Sequence, residues 1–182
     1  MVRAPMKRVK AGALSFCAGL ALAALPAHLT AEPVPDAQAW DFVEFEVKSW
    51  GSSRSSWRML PNGGGSWTVP VQEDGQPPNA PAAQQWHEIE PEAGNYVLLE
   101  AILDKLPDPA PDYQDCANFI TDAAYGSLRL TRGATTTEIA WNSGCLDDDY
   151  VAFMDVLREA DQHVQALGKA APVSRVEPAP TY

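Results

Sequence analysis

Between Asp41 and Trp50 the chain alternates without a break, with Val43, Phe45 and Val47 on one side and Glu44, Glu46 and Lys48 on the other. A period of two over this length predicts a half-buried strand. The GSSRSS run at 51–56 predicts a turn, and Ser56–Leu60 a second short strand. Pro61-Asn62-Gly63-Gly64-Gly65 predicts a sharp reversal, because Asn and Gly accept positive φ at little cost. A third strand carries Trp67, Val69 and Val71 on one face. Pro70 lacks an amide donor, which predicts a sheet edge or a bulge at that point. Residues 72–85 (QEDGQPPNAPAAQQ) form a long loop, expected to be disordered, and WHEIE at 86–90 leaves room for one more short strand.

Pro91 and Glu92 open a helix marked by Tyr96, Leu99, Ile102 and Leu106, which Pro107 stops. Pro109 and Pro111 keep the next link extended. Thr121-Asp122 starts a turn and Tyr125-Gly126 leads into a strand over Ser127–Arg132. Gly133-Ala134 turns the chain, and the Thr- and Ile-rich segment Thr135–Trp141 returns as its partner. The last element is a helix from about Asp148 to Leu167, with Tyr150, Phe153 or Met154, Leu157, Ala160, Val164 and Leu167 as its apolar stripe. Asp147 fits its N-cap, Asp148 and Asp149 suit the positive end of its dipole, and Gly168 beside Lys169 fits a C-terminal cap. The order β-β-β-α-β-β-α predicts an α+β domain, an antiparallel sheet of about five strands with two helices on one face.

The N-terminus changes the charge balance. Arg3, Lys7, Arg8 and Lys10 precede an apolar run from Ala11 to Leu25, and small residues then lead to a cleavage point after Ala31, or earlier after Ala27. The pattern predicts a secretory signal peptide over residues 1–31, too short in its apolar part to span a bilayer. Cys17 follows the bulky Phe16, which argues against lipoprotein processing. The expected organisation is a signal peptide (1–31), a flexible leader (32–40), one domain (41–168) and a disordered tail (169–182). Residues 1–31 hold four of the 13 Lys and Arg and none of the 24 Asp and Glu, so the remainder sets nine basic against 24 acidic side chains, a net charge of −15. Such a balance disfavours nucleic acid and anionic lipid and suits a cationic partner or plain solubility.

With Cys17 in the expected signal peptide, Cys116 and Cys145 remain, and an oxidising exported compartment predicts that they pair. A closed loop of about 29 residues stabilises by roughly 3–4 kcal/mol on the chain-entropy account. A redox-active pair would call for C-x-x-C spacing, which is missing.

Candidate chemistry is sparse. His87 lies beside Glu88 and Glu90 and offers a general base, but no nucleophile motif accompanies it. His163 suits the end of the last helix. The Asp147-Asp148-Asp149 trio lacks the alternate spacing of a calcium loop, and no G-x-S-x-G elbow or P-loop occurs. Nothing in the pattern predicts a catalytic centre, a resident metal or a cofactor. The six tryptophans are the strongest lead: Trp50 and Trp57 flank the SSRSS turn with Arg54 and Arg58, an aromatic and cationic edge suited to binding.

Gly63, Gly65, Thr121, Asp122, Tyr125 and Gly126 stand where turn residues stand in a group of small exported bacterial proteins of unknown function. Over residues 41–168 the chain resembles that group in its order of hairpin, helix, Thr-Asp-x-x-Tyr-Gly turn, hairpin and closing helix. The resemblance implies the α+β fold and export, and brings no assigned activity or catalytic residues to carry over. The expected protein is a periplasmic or secreted binding module or inhibitor with a protein partner in the cell envelope, expected to be cationic. The alternatives are a hydrolase using His87 with a carboxylate and a structural envelope component.

Overall fold

The computed structural model describes residues 40–71, 75–77 and 80–179. The expected signal peptide, most of the expected leader, part of the long loop and the last three residues of the expected tail lie outside them. Strands β1 (Phe42–Ser49), β2 (Ser52–Met59), β3 (Gly65–Val71) and β4 (Ala83–Ile89) precede helix α1 (Ala93–Leu103). Strands β5 (Tyr125–Arg132) and β6 (Thr135–Asn142), helix α2 (Asp148–Ala170) and strand β7 (Val173–Glu177) complete the order. All strands pair antiparallel in one sheet, β6-β5-β1-β2-β3-β4-β7.

The alternation of β1 sets the core because this strand is paired on both sides. Val43 faces Met59 and Leu130 across the two ladders, and Phe45 faces Trp57 and Leu128. These rows meet the buried stripe of α2 (Tyr150, Phe153, Met154, Leu157, Ala160, Val164) and Tyr96, Leu99, Ile102 and Leu103 of α1 in one cluster. Phe45 stacks between two indoles, with centroids 5.4 Å from Trp57 and 5.3 Å from Trp141. Trp141 reaches Phe45 across β5 because Gly126 leaves room there; a Cβ at Gly126 would lie 2.7 Å from the Trp141 ring. The Tyr96 hydroxyl donates to the Trp40 carbonyl, and burial pushes its pKa up to about 12.

The α+β class and both helices are as the pattern predicts, but the sheet has seven strands rather than about five. β4 begins at Ala83, inside the expected loop, and is mostly half-buried polar residues held between β3 and β7. β7 is exposed at every position and lies in what the pattern reads as a disordered tail; it is a strand because β4 offers it a ladder. Trp40, expected in the leader, packs against the core. The first turn is Trp50-Gly51 rather than GSSRSS: both residues have positive φ (52° and 78°), as in a two-residue hairpin turn of type I′. Pro70 sits in an interior strand, tolerated because the β2–β3 ladder ends at Ser56–Thr68 before reaching it.

Gly168 does not cap α2, which continues to Ala170; it is buried against Trp67, and a Cβ there would lie 2.5 Å from the Trp67 Cβ. The glycine sets how closely α2 approaches β3. Gly168→Ala is therefore expected to destabilise the domain by about 1–3 kcal/mol through overpacking, despite the better helix propensity of alanine. Urea denaturation of both proteins checks this, and an equal or raised midpoint would mean that the helix shifts freely.

Candidate functional site

The residues of the expected aromatic and cationic edge separate into four places. Trp57 is 3% exposed and belongs to the core, its indole N–H donating to Asp161 Oδ1 at 3.0 Å. Its burial removes it from any contact surface: alternation along β2 places it on the helix-covered face with Met59. Arg54 is the extra residue of a β-bulge, since Val47 pairs with Ser55 and Lys48 with Ser53. Arg58 lies on the uncovered sheet face, over the Phe42 ring at 4.6 Å and 3.3 Å from Glu44. Trp50 alone stands out, 69% exposed at the tip of the β1–β2 hairpin.

The uncovered face carries a row of alternating charge, in which Glu44 meets both Arg58 and Arg129, and Arg129 also meets Glu138 at 3.1 Å. Trp86 borders this row with Arg175 stacked on its ring at 4.1 Å. Trp86 escaped the sequence reading as a surface group; only its register opposite Thr68 and Arg175 fixes its side of the sheet.

The hairpin tip adjoins the segment held by the disulfide. Cys116 and Cys145 are bonded, with Cα atoms 5.8 Å apart. Around them Ile120 N–H donates to the Gly144 carbonyl and Leu146 N–H to the Asn118 carbonyl, both at 2.8 Å. Asp147 occupies the N-cap position of α2 without capping it. Its carboxylate instead accepts from Ala117 N–H (2.7 Å), Asn118 N–H (3.1 Å) and Asn118 Nδ2 (2.7 Å). These donors hold its pKa below the ordinary value. The Cys116 and Cys145 sulfurs and the Asp147 carboxylate lie within 4.8 Å of one another, but each is engaged in these bonds. Held in this way, the segment presents Phe119 (45% exposed) and Ile120 (52%) outward near Trp50.

Both described histidines make structural contacts. His87 Nδ1 lies 3.0 Å from the Ala171 carbonyl with its ring against Trp67, and His163 Nε2 lies 3.0 Å from the Asn95 carbonyl. Neither forms an ion pair with a described carboxylate. Among the described residues no helix is long and apolar enough to cross a membrane. No family model matches the chain, and no curated protein is significantly similar to it.

Two carboxylates respond to pH in opposite senses. Burial raises the pKa of Asp161, against the opposing Trp57 and Gln165 donors. Its favourable contribution is present when protonated, below about pH 4, and is lost as pH rises through the folded value. Asp161→Asn keeps an acceptor for Trp57 and removes the buried charge. The variant is expected to gain stability over wild type as pH rises from about 3 to about 7, read by denaturation at each pH; a constant difference would show that ionisation is not involved. The lowered pKa of Asp147 means that its contribution is present above the ordinary aspartate value and lost as pH falls through the folded one. Acid is therefore expected to lower the exchange protection factors of Ala117 and Asn118, each rate taken relative to its intrinsic rate at that pH, before the sheet opens, and Asp147→Ala to produce the same loss at neutral pH.

Proposed function

We propose that the chain is an exported, non-enzymatic binding domain of the cell envelope whose partner is a cationic protein. The carrying observation is the apolar cluster of Trp50, Phe119 and Ile120, exposed beside the tip of the β1–β2 hairpin in a chain of net charge −11. Isolated exposed apolar residues need no explanation, but Trp50 gathered with two others from a cross-linked segment suits a protein contact. The acidic excess suits a basic partner by steering the encounter and disfavours anionic surfaces. The Cys116–Cys145 bond is compatible with an oxidising compartment. The specific form of the reading is inhibition of a cationic envelope hydrolase such as a lysozyme.

Pull-down from envelope extract with the oxidised domain is expected to enrich one basic protein. Its association rate should fall about tenfold or more between low and high salt. A basic lysozyme added at low salt is expected to be slowed by the domain. Failure to enrich any basic protein, together with unaffected lysozyme, would sink the reading.

A further inference from the structure

Among the described residues two non-glycine positions have positive φ, Trp50 (52°) and Asp122 (63°), and both line the same recess. The recess holds about 220 Å³, and Phe119, Ile120 and Tyr125 supply its other main walls. Aspartate enters the left-handed region readily, whereas a bulky residue there is an outlier. Asparagine or glycine would suit the first turn position of this hairpin better than tryptophan. The turn conformation itself therefore does not call for Trp50, which is 69% exposed. Strained residues persist where the surroundings hold them and function uses them.

The lining has a definite chemistry. Trp50, Phe119 and Ile120 are apolar, and the Trp50 ring face suits a cation. Asp122 forms no ion pair among the described residues. The Tyr125 hydroxyl accepts from Gly51 N–H at 3.1 Å, which leaves its own proton to donate and fixes the turn beside the recess. Apolar walls, an indole face and one carboxylate fit a long side chain with an aliphatic stem and a cationic head. The volume admits a single such side chain.

We infer that the recess between Trp50, Phe119, Ile120 and Asp122 captures one arginine or lysine side chain of a basic partner protein, the stem lying against the apolar walls and the head reaching Asp122. This rests on the reading of a cationic partner and names where that partner is gripped. The disulfide and Asp147 serve the site by holding the 116–120 segment in place.

The test is a titration of the oxidised, isotope-labelled domain with a short arginine-containing peptide, and with the same peptide carrying norleucine in place of arginine, followed by amide and indole resonances. Shifts are expected at Trp50, Phe119, Ile120, Asp122 and Tyr125 with the arginine peptide alone. Trp50→Asn relieves the strained turn, so it should keep the dispersed spectrum and an equal or higher thermal midpoint while weakening peptide binding at least tenfold. Asp122→Asn, which tolerates the same backbone conformation, should weaken it similarly. Shifts confined to Arg58 and Trp86 on the uncovered sheet face would overturn the inference, as would Trp50→Asn binding like wild type. Peptide bound in the recess with no basic envelope protein captured would sink the proposed function alone. A captured partner indifferent to Trp50→Asn and Asp122→Asn would sink the recess alone.

Discussion

The stack of Trp57, Phe45 and Trp141 on one face of the sheet is the interaction on which the rest depends. It joins β2, β1 and β6 beneath the helices, with ring separations of 5.4 and 5.3 Å. Two small allowances make it work: Gly126 lets Trp141 lie across β5, and Asp161 takes the Trp57 indole N–H. Trp141 and Trp67 bury their indole nitrogens without an acceptor among the described residues, so apolar area rather than polar pairing holds them. Trp57, Trp67 and Trp141 are committed to the core, which makes the exposed Trp50 informative.

The two faces of the sheet divide the electrostatic work. The uncovered face pairs its charges across strands, Glu44 between Arg58 and Arg129, at sites open enough to water that each pair adds little stability. Such a face interleaves charges of both signs, most of them paired across strands. The hairpin tip is different. It combines apolar surface, a carboxylate without an ion pair among the described residues and strained backbone within one small recess, braced by a covalent bond and by a carboxylate with three N–H donors.

The tip also explains the placing of the disulfide. The sheet and α2 are tied together by burial, from Val43 at its centre to Gly168 against Trp67. Beyond Cys116 the 116–122 segment has little such support: Phe119 and Ile120 are exposed, and its strand-like contact among the described residues is the isolated bridge of Phe119 with Cys145. A cross-link restricts this segment where packing does not.

The α+β class, both helices, the stripe of α2, the turn at 133–134 and the cysteine pair followed from the chain alone, because each rests on local periodicity, turn chemistry or the scarcity of cysteine. β7 and the first half of β4 did not, since Val173–Glu177 and Gln84-Gln85 carry little apolar alternation and become strands only through their neighbours. Trp50, Arg54, Trp57 and Arg58 are close in sequence and looked like one edge. A type I′ turn, a bulge at Arg54 and the two-residue period of β2 send them to the tip, the bulge, the core and the open face. The recess itself joins the β1–β2 turn to a segment some seventy residues away, held there by Cys116–Cys145. Local sequence determines which way a side chain leaves its own strand; which distant residue it meets is set by register and cross-linking, and only the tertiary structure decides that.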